Sequence, residues 1–338
     1  MKLNLTASRH ILPFAAFLAN RGERLSPLLA KSGLPSTCLD DPAKLVPTAA
    51  LWRFRELAAK LTGASNLSLD VMAPLDLSEL GPVARSLLRA PTLRKTIEDF
   101  KRIAFAESST AILDLTPWRN ADFFFSVRFN LTHQLGEWQS ELYLLMWMLK
   151  IVRLVDPEWS PTEIWCIAKG APDRVQAIES LAARPRFSQC CTGFPIPGSM
   201  LALPLGQSRP RERSQAVDKA VLWSTAPSDS TAGAVKQLIQ AYADDRWLTA
   251  EQASDALGMN LRALQRQLAA EDQTYSAIFE ETRAEAAASL LEGAEASLSE
   301  IARCLGYSNL SNFNRAFRRW AAVSPREFRA QRQEKRHG

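Results

Sequence analysis

The sequence predicts an α+β domain, with helices packed on a small, mostly antiparallel sheet, followed by an all-α domain with two helix-turn-helix units joined by a linking helix. Three observations carry this. Apolar residues recur with a helical period through residues 11–105 and again beyond 233, whereas residues 110–131 are dense in β-branched and aromatic side chains. A Pro-, Ser- and Arg-rich stretch, GQSRPRERSQAVDKAVLWSTAPSDSTA at 206–232, separates the two patterns. Beyond it one two-helix plan occurs twice, its glycines 48 residues apart. The expected organisation is a domain at 1–205, a linker at 206–232 and a second domain at 233–338.

In the first domain, TAALWRFRELAAKLTG (48–63) and TLRKTIEDFKRIAFA (92–106) are helical patterns stopped by Gly or Pro. TAILDLTP (110–117) and DFFFSVRFNL (122–131), with Asn120 between them, predict a hairpin. LYLLMWMLKIVRLV (142–155) carries Lys150 and Arg153 and falls short of the ~20 apolar residues that cross a bilayer, so a buried helix is expected. TEIWCIAKG then predicts a strand, PDRVQAIESLAA a helix and SMLALPLG a last strand. Near the start, ILPFAAFLA imitates a secretory signal, but the run is short, contains Pro13 and leads into amphipathic helix. A cytoplasmic protein with no membrane partner is expected.

In the second domain, Ser297 and Glu300 fit an S-x-x-E capping box that starts a helix through Ile301, Ala302 and Leu305, and Gly306 breaks it. From Leu310, Phe313, Phe317 and Trp320 form an apolar stripe, with Ser311, Asn314, Arg315 and Arg318 opposite. A helix, a Gly turn and a second helix with a polar face describe a helix-turn-helix, whose second helix enters the DNA major groove. Upstream, Thr249 and Gln252 form the matching box, Leu257-Gly258 answers Leu305-Gly306, and Asn260 can cap a helix that turns Leu261, Leu264 and Leu268 inward and Arg262, Gln265 and Arg266 outward. Between the units lies an Ala- and Glu-rich helix from Thr274, stopped by Gly293 and ~27 Å long at ~1.5 Å per residue.

These motifs, with the closing AAVSPREFR in which Ser324, Pro325 and Glu327 start another helix, make residues 235–332 resemble the DNA-binding domain of the AraC/XylS family of bacterial transcription regulators. The resemblance implies one chain placing two recognition helices in adjacent major grooves of double-stranded DNA. Arg suits guanine, and Asn and Gln suit adenine, so the expected base readers are Arg262, Gln265 and Arg266 in the first unit and Ser311, Asn314 and Arg315 in the second. Leu310 falls at a position the family uses for contact, where a Leu departs from the common polar residue and can only touch a thymine methyl. Asn260, Arg318, Arg319 and Arg326 are placed against phosphate. For every one of these side chains the plainer alternative is a solvated helix face.

The first domain more weakly resembles the large N-terminal regulatory domain of the subgroup that includes ornithine- and arginine-use regulators, through SGLP…DDPAKLVPTAALWRFRELAAKLTG, PTLRKTIEDFKRI and LALPL. That resemblance implies a sensor and dimerisation module; the expected reading is an activator that works as a homodimer with RNA polymerase and answers to a small effector. Trp118, Arg119, Arg128, His133, Trp138, Tyr143, Trp147 and Trp165 are candidate effector contacts, against the plainer reading that such aromatics are core. The rival function is a constitutive DNA-bound regulator whose N-terminal domain only associates with protein.

Composition sets outer limits. Lys and Arg number 41 against 36 Asp and Glu, net +5, and the bias is local: 301–338 holds nine bases and two acids, 271–300 eight acids and one Arg. Five cysteines without a C-x-x-C pair and three histidines give no metal site, and an odd count with adjacent Cys190-Cys191 fits reduced thiols. No G-x-S-x-G, H-E-x-x-H, P-loop or G-x-G-x-x-G is present, so neither catalysis nor a cofactor is expected.

Overall fold

The computed structural model describes residues 3–77, 82–131, 135–205, 226–293 and 296–337; most of the expected linker lies outside them. Two compact units result, Leu3–Pro227 and Ser228–Gly338. The first runs β1 (Leu5–Ala7), α1 (Leu12–Asn20), α2 (Leu25–Ser32), β2 (Leu45–Pro47), α3 (Thr48–Thr62), α4 (Leu67–Met72), α5 (Pro82–Leu87), α6 (Leu93–Glu107), β3 (Ala111–Pro117), β4 (Phe123–Phe129), α7 (Glu137–Val152), β5 (Glu163–Trp165), α8 (Pro172–Glu179), β6 (Arg184–Arg186) and β7 (Thr192–Ile196).

The expected hairpin forms, with Ala111 opposite Phe129 and Pro117 opposite Phe123. Its alternation sends Phe125 and Val127 into the core with Phe194 of β7. The sheet order is β3-β4-β7-β5-β6, antiparallel except for the β5–β6 pair. Strands β1 and β2 make a separate two-stranded ribbon. As expected for the greasy stretch, α7 is buried almost all round, from Trp138 to Val152. Against it pack α3 and α6, whose apolar stripes include Leu51, Phe54, Ile97 and Phe100.

One expectation fails. The last strand does not form at SMLALPLG; Gly198–Ala202 is a 3-10 turn with Met200 and Leu201 packed inward, and Pro204 makes only an isolated bridge to Thr92. The chain has already left the sheet after Ile196, at Pro197, which has no N–H to extend a ladder. The strand that completes the sheet is β7, just upstream, masked in the sequence by its own Pro195.

The second unit is all helix: α9 (Thr231–Tyr242), α10 (Ala250–Ala256), α11 (Leu261–Ala269), α12 (Tyr275–Glu292), α13 (Leu298–Cys304), α14 (Leu310–Ala321) and α15 (Pro325–His337). The boundaries follow from cap chemistry. Thr249 with Gln252 and Ser297 with Glu300 both close full capping boxes, and Ser324 with Glu327 exchanges the same pair of bonds. Thr274 caps α12 by accepting from the Ala277 amide at 3.1 Å. Gly258 and Gly306, at φ +70° and +75°, make the turns that other residues resist, and a Cβ on Gly306 would meet Trp247 at 3.2 Å. The core of the second helix-turn-helix is Ile301, Leu305, Phe313 and Phe317 closed by Ala287 and Leu291 of α12.

Candidate DNA interface and effector cavity

Each helix-turn-helix presents its second helix with the polar face outward. On α11, Leu264 and Leu268 are buried while Arg262, Gln265 and Arg266, related by i, i+3 and i+4, are exposed together. On α14, Phe313 and Phe317 are buried while Ser311, Arg315, Arg318 and Arg319 are exposed. Asn314 is half-buried with an unsatisfied Oδ1, and Leu310 leans on the core. Arg315 Nη2 donates to Asn312 Oδ1 at 2.6 Å, which holds the guanidinium along the helix.

The cap of α14, which sequence reasoning missed, is Asn309, whose Oδ1 accepts from the Asn312 amide at 2.9 Å. Asn260 does the same for α11, accepting from the Ala263 amide at 2.8 Å; only its Nδ2 is left to face a phosphate. Arg326 is exposed. Arg319 is committed within the unit, 2.6 Å from Glu280 Oε2, an oxygen that also accepts from Trp320 Nε1 at 3.1 Å.

The linking helix is fastened to the second unit by a residue not singled out in the sequence. Arg283 of α12 lies 3.9 Å from the Tyr307 ring centroid, 5.2 Å from Phe279 and 5.6 Å from Trp247, and its Nη2 donates to the Leu305 carbonyl at 2.6 Å. A cation at the C-terminal end of α13 also suits the helix dipole. Trp247 Nε1 donates to the Cys304 carbonyl at 2.8 Å beside it. The signal was available, since Arg283 is the single base in the acidic stretch 271–300. At the N-terminal end of α12, Tyr275 donates to the Leu248 carbonyl at 2.6 Å, next to the first unit's cap.

In the N-terminal unit a cavity of about 60 Å³ lies between β1, α3, α6 and α7. Tyr143 and Trp147, one turn apart on α7, line it. The other expected effector contacts do not come to it. Trp138 stands on another face of α7 and donates to Asn66 Oδ1 at 2.9 Å. Trp118 and Trp165 pack edge to face at 5.4 Å, Arg119 lies over Trp118, and Arg128 pairs with Asp114 at 3.0 Å. His133 lies outside the described residues.

Residues the sequence did not flag complete the cavity. Arg55 is buried, its guanidinium 4.0 Å from the Tyr143 ring centroid, and Tyr143 Oη shares a 2.9 Å hydrogen bond with His10 Nδ1. Glu107 Oε2 is 3.0 Å from Arg9 Nε and 3.5 Å from His10 Nε2. The first pair attract as charges, but the N–H points off the oxygen and neither atom gains a hydrogen bond. Burial, then Arg55 and Arg9, hold the His10 imidazole down to about 3, so it is neutral near pH 7. A hydroxyl chain joins Ser108, Thr6, Thr48 and Thr110 at 2.8, 2.6 and 2.9 Å.

All five cysteines are free thiols, with Cys38, Cys166 and Cys191 buried. Among the described residues no group of His, Cys, Asp and Glu could hold a metal ion, and no helix is long and apolar enough to cross a membrane.

Comparison with known proteins adds the context. Residues 253–331 match the helix-turn-helix domain family, and residues 22–205 match the N-terminal arabinose-binding domain of AraC transcription regulator. The transcriptional regulator VirS of Mycobacterium tuberculosis is 34% identical over 153 residues, 45% of each chain. The ornithine utilization regulator of Pseudomonas aeruginosa is 28% identical over the same length and the same shares. The matched segments thus span a little under half the length of these relatives. The crystal structure of the transcriptional regulator CdpR from P. aeruginosa aligns with 95% of this chain and 98% of its own, at 18% identity and a TM-score of 0.45. These relatives are regulators rather than enzymes, in keeping with the absence of catalytic motifs. With more than half of its length matched by the N-terminal family and a helix-turn-helix domain following, the chain belongs to the AraC-type transcription regulators.

Proposed function

We propose that the chain is a sequence-specific, DNA-binding activator of transcription that acts in the cytoplasm with RNA polymerase, as a homodimer, under the control of a small effector held in the N-terminal unit. The observation that carries it is the pair of exposed polar faces on α11 and α14, borne by two capped helix-turn-helix units that share one linking helix. Arg318 and Arg326, with Asn260 Nδ2, neutralise or grip phosphates and supply affinity. Arg262, Gln265, Arg266, Ser311 and Arg315 read base edges and supply specificity. Leu310 and Asn314 contribute less, since one leans on the core and the other is half-buried. Arg319 reaches DNA only by leaving Glu280. In the N-terminal unit Tyr143 and Trp147 face the effector.

The test is to pass sheared genomic DNA over the full-length protein and sequence what is retained. Enriched sites are expected to hold two dissimilar short blocks with centres about 10 to 10.5 base pairs apart. Enrichment of a single block, or none, contradicts the reading.

A further inference from the structure

Arg55 raises a problem that the fold alone does not solve. Its relative exposure is 3% and it lines the cavity. A guanidinium has five N–H donors, yet this one gives two hydrogen bonds, to Ser140 Oγ at 3.1 Å and to the His10 carbonyl at 3.4 Å, and its buried Nε gives none. Among the described residues it has no carboxylate partner, because Glu107, the acid on the same cavity, faces Arg9 and His10. Burial lowers the Arg55 pKa only to about 10, so the group remains a cation near neutral pH. The rings of Tyr143 and Phe14, at 4.0 and 5.1 Å, offset part of the cost of burying it, and nothing described supplies the counter-charge.

The remaining walls narrow the missing partner. Leu51, Trp52, Phe100 and Leu144 are apolar walls, and Trp147 adds an indole whose buried Nε1 has no hydrogen-bond partner. The hydroxyls of Thr6, Thr48 and Thr110 are already joined to one another, so a polyhydroxylated ligand would find few free partners. The guanidinium fork pairs with the two planar oxygens of a carboxylate, and a single cation in about 60 Å³ balances a monoanion but not a phosphate dianion.

We propose that this cavity binds a small, short-chain carboxylate, its oxygens on Arg55 and its few carbons against the Trp52, Phe100 and Trp147 walls. The proposal rests on the effector reading above and names the chemical class of that effector.

The experiment is thermal unfolding of the full-length protein, followed by tryptophan fluorescence, with millimolar propanoate, butanoate and pentanoate, each against its own amide and against butylamine. At least one acid should raise the melting temperature of the N-terminal unit by a few degrees, with its amide and the amine giving no rise. Arg55→Met should melt no lower than wild type without ligand, because it removes an unpaired buried charge, and should lose the acid's effect; Arg55→Lys should keep a smaller rise. Equal stabilisation by acid and amide, no stabilisation by any acid, or a rise that survives in Arg55→Met overturns the proposal. The wider effector reading fails on a separate result. If the protein occupies its DNA site equally in dialysed and undialysed cell extract, there is no effector control. If occupancy changes while the acids do nothing, only the carboxylate assignment is wrong.

Discussion

On α11 and α14 the arginines stand in water, and their worth lies in what they meet outside the chain, whereas Arg55, Glu107 and Glu141 of the N-terminal unit are buried and must be balanced within it or by a ligand. The same residue types therefore do opposite jobs. A surface charge can be removed with little effect on folding, typically within about 0.5 kcal/mol, while its loss is felt in binding. A buried charge is coupled to stability first and to function only through it. The contrast sorts the two regions by experiment, in order of effect.

The largest change should come from Glu107→Ala. It leaves Arg9, a half-buried cation whose Nε is fully covered, without its acid, and breaking a buried pair costs up to about 3–5 kcal/mol. Urea unfolding of the full-length protein should show the loss in the N-terminal transition alone. A change below about 1 kcal/mol would mean that water reaches the cluster freely.

Glu141 gives the next effect and a pH signature. This buried carboxyl on α7 accepts from the Ile167 amide at 2.6 Å, the Ala168 amide at 3.1 Å and the Thr192 hydroxyl, which bind the helix to the loop after β5 and to the start of β7. Burial pushes its pKa up to about 7 from the usual 4.5, although the three donors pull the other way. The folded state then holds the proton more tightly than the unfolded chain. Its contribution is full below pH 4.5 and is lost as pH rises through 7. Relative to Glu141→Gln, wild type should lose on the order of 3 kcal/mol across that window. A relative gain with rising pH would show that the donors outweigh desolvation.

At the exposed end of the comparison, Arg315→Ala should cost about 1–3 kcal/mol on the preferred site and relax specificity at one base position. Arg318→Ala should weaken all sequences alike and lower the slope of log affinity against log salt by about one unit. Titrations on matched and mutated sites at several salt concentrations separate the two. Equal losses on every sequence for Arg315→Ala would move it to the phosphate set.

What could be read in the sequence follows the same division. Capping boxes, turn glycines and the apolar stripes of α11 and α14 are short-range signals spaced by three or four residues, so both helix-turn-helix units are legible in the sequence, whereas α9 begins at Thr231, inside the expected linker. The β3–β4 hairpin was legible for the same reason. The cavity was not, because it gathers Thr6, Arg55, Glu107 and Tyr143 from elements scattered through the unit. One local hint existed: Arg55 shares a helical stripe with Leu51, Ala58 and Ala59, all buried, which placed a charge where a core residue belongs. Strands β6 and β7 stayed hidden behind Pro185 and Pro195, which demote a run to non-strand by propensity although the fold accommodates both. The misplaced last strand is the counterpart of that error.

The central claim is that two different reading heads are held by one stiff helix. Tyr275 at its start, Glu280 and Arg283 along its first half and Leu291 near its end fix α12, and its 18 residues allow little bending over ~27 Å. The most direct measurement is a gel-shift series on the full-length protein with the spacer between the two DNA blocks lengthened by about half a helical turn and by about one full turn. The half-turn insert puts the second block on the opposite face of the duplex, and affinity should fall to that of a single block, with the loss of the second head's contribution. Binding of the half-turn site as tight as the parent would mean that the heads are not rigidly coupled, or that only one of them reads DNA.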